Sequence, residues 1–166
     1  HSTPLHMEWD QKKFNIIDAP GYSDFIGESI SSLAVVDMAV VTIHAVNGIE
    51  VGTETMWSTA TELGIPKVLV VNGLDREHTK FDDILKQAKE RFGRNVFPMQ
   101  LPVNSGPGFN QNIDVLRREL ITYKTDGSGD YSEGDLPENL VSEVDVLHSE
   151  LIEYVAESDD SLLEKY

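Results

Sequence analysis

Three short apolar runs, separated by segments with helical spacing, constrain this chain more than any other feature. Phe14–Ile17, Met38–Ile43 and Lys67–Val71 have the length and the β-branched content of strands. Between them Ile26, Ile30, Leu33 and Ala34, then Met56, Ala60 and Leu63, recur at helical intervals, and Gly64-Ile65-Pro66 stops the second set. A third set, Phe81, Ile84, Leu85, Ala88 and Phe92, ends at Gly93. This alternation predicts an α/β fold with a mostly parallel sheet, in which ligands bind outside the carboxyl ends of the strands. The run beginning at Met38 reads as a strand of the buried type. The residues just after each strand are therefore where chemistry is expected.

Leu5, Met7 and Trp9 alternate with polar residues and lead through Asp10-Gln11-Lys12 into Phe14–Ile17, which predicts a hairpin. Val96–Leu101 is a further strand candidate, and Pro98 suits it to an edge or a strand end. From Pro102 the texture changes. Asn104–Gly108 reads as a loop, Ile113–Tyr123 is ambiguous, and Thr125–Pro137 is rich in Gly, Ser and Asp. Leu140, Val144, Leu147, Leu151 and Val155 then mark an amphipathic helix opened by Pro137 and Glu138. We divide the chain into residues 1–101, a partial α/β domain, and residues 102–166, a small α+β subdomain with an acidic helix.

Charge is uneven. Of the formal net charge of -16, the segment from Lys124 to Tyr166 supplies -11, with thirteen Asp and Glu against two Lys. Such a surface repels nucleic-acid phosphates and favours basic protein partners, or else serves only as a solvated face. Direct nucleic-acid binding by this half is not expected. There is no cysteine, so neither disulfides nor thiolate metal sites arise. No run approaches the length of a membrane helix, and His1–Lys13 lacks the apolar stretch of a signal peptide, so the expectation is a cytoplasmic protein with no membrane partner.

Two tetrapeptides stand where the fold puts ligands. Asp18-Ala19-Pro20-Gly21 follows the strand Phe14–Ile17, and there an Asp can reach a magnesium ion while a glycine N–H approaches a terminal phosphate. Asn72-Gly73-Leu74-Asp75 follows Lys67–Val71. A carboxylate in that place accepts from the paired N–H donors of guanine, which adenine lacks. Each tetrapeptide alone is also an ordinary turn. Together, one strand–helix–strand unit apart, they have the order of a nucleotide running from phosphate at Asp18 to base at Asp75.

With IIDAPGYSDF, AVNGIEVGTETMW and VVNGLD, the chain resembles the G domain of elongation factor G and its divergent elongation factor G-like paralogues. LPVNSGPGF, IDVL and VAESDDSLLEKY are similar to the insert that elongation factor G carries inside that domain. The resemblance implies a P-loop-NTPase-like G domain lacking its P-loop strand, and it assigns Asp18 and Gly21 to the metal and γ-phosphate switch. Asn72 and Asp75 would then recognise guanine. GTP or GDP and magnesium, the latter touched only indirectly by Asp18, would be bound by the full-length parent, which would act on the ribosome and hydrolyse GTP. This chain alone is expected to bind neither and to catalyse nothing.

The sequence departs from the family pattern in three places. No G-x-x-x-x-G-K-[ST] occurs in the first seventeen residues, so the phosphate loop would lie before His1, and the serine–alanine guanine box would lie beyond Tyr166. Gly73 stands where the family has a lysine. Tyr22 stands at the catalytic position, where the family has the histidine that positions the attacking water, and weakened hydrolysis follows. A nucleotide-independent interaction module that keeps the fold is the alternative. A phosphoacceptor domain using Asp18 lacks the acidic pair and the lysine that such chemistry needs.

The remaining candidates have plainer readings. His44 has no partner at ligand spacing, Trp57, Met56 and Phe92 lie at core spacing, and Ser105 and Ser128 lie in loops without the lysine of a phosphate cradle. Asp159 and Asp160 read as solvated acid.

Overall fold

A computed structural model of the chain describes residues 1–93 and 96–157, so Asp159 and Asp160 lie outside the described residues. The chain divides into two compact units, His1–Asn72 and Gly73–Tyr166. The boundary drawn from composition near residue 102 falls within the second of these.

In the first unit, β1 (Thr3–Trp9) and β2 (Lys12–Asp18) form an antiparallel hairpin with Trp9 opposite Lys12 and Thr3 opposite Asp18. Asp10 and Gln11 close it with φ of 47° and 59°, the paired left-handed conformation of a two-residue hairpin turn. A single 3-10 turn (Ser23–Phe25) leads into α1 (Ile26–Leu33), followed by β3 (Ala39–His44), α2 (Val51–Glu62) and β4 (Lys67–Asn72). β3 and β4 pair in parallel from Ala39↔Lys67 to His44↔Asn72, as the strand–helix–strand order requires. Leu33, Ala39 and Ala60 form the core here, with Val36, Met56 and Ile65 packed against them.

Two expectations for this unit are corrected. The hairpin and the β3–β4 pair are separate two-stranded sheets, and among the described ladders only β3–β4 is parallel, so the pairings are not mostly parallel. Nor is β3, the run from Met38, buried on both faces. Ala39 and Ile43 are buried, but Val40, Val68 and Val70 on the alternating positions are exposed, because α1 and α2 supply a layer to one face. One face of the hairpin is likewise apolar and open, with Trp9 66% exposed and Leu5, Met7, Phe14 and Ile16 beside it in register.

The second unit holds α3 (Phe81–Phe92), a four-stranded antiparallel sheet in the order β5-β6-β7-β8 and α4 (Val141–Glu157). α3 keeps acid in its first turn (Asp82, Asp83) and base in its last (Lys89, Arg91), matching the helix dipole. β5 is only Gln100–Pro102, an edge strand that begins after Pro98 and pairs with β6 (Gln111–Asp114). The ambiguous stretch from Ile113 to Tyr123 is the end of β6, a tight turn and β7 (Glu119–Tyr123). Arg118 takes a φ of 59° in that turn, and Asp114 accepts from the N–H groups of Arg117 and Arg118 at 2.9 and 2.8 Å. The Gly/Ser/Asp-rich stretch is not all loop, since Tyr131–Gly134 forms β8 against β7. Backbone pairing with β7 and a single ring contact, Tyr131 against Tyr123 with centres 5.9 Å apart, hold that strand, and its other residues are Ser, Glu and Gly, which is why hydrophobic periodicity missed it. Ile84, Ala88, Ile113, Val115, Ile121, Val144 and Leu151 are buried, Phe97 and Tyr154 stack with ring centres 5.0 Å apart, and Arg118 pairs with Asp145 of α4.

Candidate functional site

Asp18 is the last residue of β2 and is exposed, so its carboxylate stands at the carboxyl end of a strand. The loop that follows is held from α1. The Ser29 hydroxyl donates to the Pro20 carbonyl at 2.8 Å, and Ser29 is 8% exposed. Gly21 has no left-handed φ, and a Cβ built on it would meet nothing within 4 Å. The fold itself therefore does not demand glycine there, whereas close approach of another molecule to its N–H does. Tyr22 begins the 3-10 turn, its carbonyl accepting from Phe25 N–H at 3.0 Å, and its side chain is 80% exposed.

Asn72 is the last residue of β4 and lies level with His44 of β3. Its carbonyl accepts from Ala45 N–H at 2.8 Å, which fixes the strand end that presents the next tetrapeptide. Gly73 takes a φ of 79°, so this box does require a residue tolerant of the left-handed region. Arg76 N–H donates to the Gly73 carbonyl at 3.2 Å, making a turn that leaves Asp75 exposed. Gly106 N–H donates to the Leu74 carbonyl at 2.7 Å. The Asn104–Gly108 loop, unremarkable in sequence, thus braces the middle of the box. Nothing in the pattern of residues signals that bond, although the glycine pair flanking Pro107 marks a loop of special backbone.

Asp18, Gly21 and Tyr22 lie on one loop, and Asn72 and Asp75 on another. Among the described residues no group of three or more His, Asp or Glu side chains is arranged to hold a metal ion. His44 takes a local role, its Nδ1 accepting from Val46 N–H at 3.2 Å in the turn that closes on Gly48. The second unit has a cleft of about 200 Å³ lined by Phe81, Leu101, Ile113 and Val144 with Asp82 and Glu143. It includes none of the five candidate residues and falls short of the few hundred Å³ typical of ligand sites. No helix among the described residues is long and apolar enough to cross a membrane.

Comparison with known proteins supplies the context that the loops lack. The profile of the elongation factor Tu GTP binding domain matches residues 1–161. An elongation factor G-like protein of Thermotoga maritima is 34% identical over 160 residues, covering 96% of this chain and 22% of that protein. A crystal structure of a Thermus thermophilus protein superposes with a TM-score of 0.88 at 31% identity, covering 99% of this chain and 24% of the other. The chain thus spans about a quarter of the length of these relatives. With an α/β fold, Asp18-Ala19-Pro20-Gly21 at the end of β2 and Asn72-Gly73-Leu74-Asp75 at the end of β4, the chain belongs to the elongation factor Tu GTP-binding domain family, and its resemblance to elongation factor G-type proteins is borne out.

Proposed function

We propose that this chain is the switch-bearing and base-reading part of a GTP-binding translation factor of the translocation type, acting on the ribosome in the cytoplasm. One observation carries the reading: two boxes of the right composition each follow the carboxyl end of a strand, in a chain 34% identical over nearly its whole length to an elongation factor G-like protein. Asp75 accepts from guanine, and Asn72 ties the base loop together. Asp18, as a single carboxylate, reaches magnesium through water, while the nucleotide's own phosphates supply most of the coordination. Gly21 offers its N–H to the γ-phosphate.

The phosphate loop belongs, on this reading, to a strand outside residues 1–166 that enters between β2 and β3. The separate two-stranded sheets and the exposed apolar faces of the hairpin and of β3–β4 support it. The departures weaken turnover more than binding. A phenol is nearly non-basic at neutral pH, whereas an imidazole titrates close to it, so Tyr22 cannot replace a histidine that orients water. Gly73 removes the stem that would cover the base, and its φ of 79° makes a lysine there cost about 1–2 kcal/mol of backbone strain. The acidic face of residues 124–157 is the surface for basic protein partners, and it disfavours nucleic acid.

The same two departures favour a second reading, an interaction module that has kept the fold and lost the nucleotide. Titration of GDP and of a non-hydrolysable GTP analogue with magnesium separates the two. The full-length parent is expected to bind both. This chain by itself is expected to bind neither more tightly than about micromolar, roughly -8 kcal/mol, because phosphate-loop amides and their lysine supply most of the contacts to phosphate. A parent that binds no guanine nucleotide leaves the module reading standing.

A further inference from the structure

Among the described residues Ser29 is the one buried polar side chain. Its helical neighbours spend their hydroxyls on α1 itself, Ser31 donating to Gly27 O and Ser32 to Glu28 O, each at 2.8 Å. Ser29 instead reaches out of the helix to the Pro20 carbonyl at 2.8 Å. α1 is a fixed support for that bond. Ser2 N–H donates to Glu28 Oε2 at 3.2 Å, and the hydroxyls of Ser2 and Ser32 lie 3.0 Å apart, so the start of β1 is tied to the same helix.

A trans peptide unit is planar and carries its C=O and N–H on opposite sides. Pinning the Pro20 oxygen toward α1 therefore aims the Gly21 N–H away from α1. The proline ring already fixes φ of residue 20, which leaves its ψ as the rotation that sets the plane, and the Ser29 bond holds that rotation. Gly21, without a side chain, adds little restraint of its own. The orientation of this amide thus depends on one hydroxyl eight residues further along the chain.

We propose that Ser29 is a positioning residue for the terminal phosphate of a bound nucleoside triphosphate: its hydroxyl fixes the Pro20–Gly21 peptide so that the Gly21 N–H faces that phosphate. The inference rests on the reading that this loop meets the γ-phosphate. A diphosphate lacks the group in question, so Ser29 bears on triphosphate binding alone. Substitution by alanine raises helix propensity and leaves α1 intact, which separates positioning from folding.

The test uses the full-length protein with magnesium, comparing GDP and a non-hydrolysable GTP analogue in wild type, Ser29→Ala and Ser29→Thr. Ser29→Ala is expected to weaken the analogue about tenfold, with GDP changed by less than about twofold, as one lost charge-directed hydrogen bond implies. Ser29→Thr, which keeps the hydroxyl, restores the ratio. Equal weakening of both nucleotides, an unchanged ratio, or a tighter analogue overturns the proposal. In the same variants the Gly21 amide resonance should move in Ser29→Ala while amides of β3 stay in place, and an unmoved Gly21 amide also overturns it. Wild-type protein that binds no guanine nucleotide sinks the functional reading itself. Normal wild-type binding with an unmoved ratio sinks only the role given to Ser29.

Discussion

Replacing Gly106 by alanine tests whether the Asn104–Gly108 loop braces the tetrapeptide Asn72-Gly73-Leu74-Asp75. A Cβ at this position would meet nothing within 4 Å, so the substitution is not decided by packing. It is decided by the backbone, since φ is 109°, outside even the left-handed helical region that Asn and Asp tolerate. Two outcomes are available to the variant. It keeps the conformation and carries strain of about 1–3 kcal/mol. Alternatively it relaxes, and Gly106 N–H loses its 2.7 Å bond to the Leu74 carbonyl in a buried position, which costs about 1–3 kcal/mol as well. The two routes converge on the same magnitude, so the forecast does not depend on which is taken. Gly134→Ala is the control, because that glycine has neither a left-handed φ nor a close neighbour, and it should change stability by less than about 0.5 kcal/mol. Urea unfolding at constant m-value measures both variants, and hydrogen exchange at the amide of residue 106 distinguishes strain from relaxation. The relaxed outcome also frees Leu74, so guanine nucleotide affinity of the full-length protein should fall. A Gly106→Ala midpoint indistinguishable from the Gly134→Ala control would refute the reasoning.

Three other expectations concern chemistry, core and pH. Tyr22→His in the full-length protein should raise the ribosome-stimulated GTPase rate by about 10²-fold or more with little change in nucleotide affinity, and a flat multiple-turnover rate would show that another departure limits hydrolysis. Ile113 is 1% exposed in the sheet of the second unit, so Ile113→Ala should cost about 2–5 kcal/mol, read as a shift in the denaturation midpoint. The hydroxyl and backbone N–H of Ser128 hold the Asp126 carboxyl below the usual carboxylate range. A depressed carboxyl stabilises the β7–β8 turn at pH values above its unfolded-state range and loses that contribution as pH falls through its folded-state value. Side-chain NMR titration should therefore give Asp126 a midpoint below that of Ser128→Ala, and coincident midpoints would remove the cause assigned here.

Sequence by itself determined the units that local chemistry dictates. The turn at Asp10–Gln11, the helices closed by Gly64 and Gly93, the parallel pairing of two runs joined by a helix, and the placing of Asp18 and Asn72 at strand ends all follow from periodicity and turn residues acting over a few positions. The two tetrapeptides were legible as strand-end segments because each sets turn-forming residues directly after an apolar run. What pairs with what across longer spans was not legible. β8 has no apolar pattern and exists because β7 offers it a ladder of N–H and C=O groups. The exposed face of β3 corrects the reading of Met38–Ile43 as a buried strand, because apolar residues record that a face is to be covered and not which part of the chain covers it. The supports of the two boxes, Ser29 on Pro20 and Gly106 on Leu74, belong to the tertiary structure alone, since each joins groups that only the folded backbone brings within 3 Å, and a serine or a glycine carries no mark in sequence of the carbonyl it will meet.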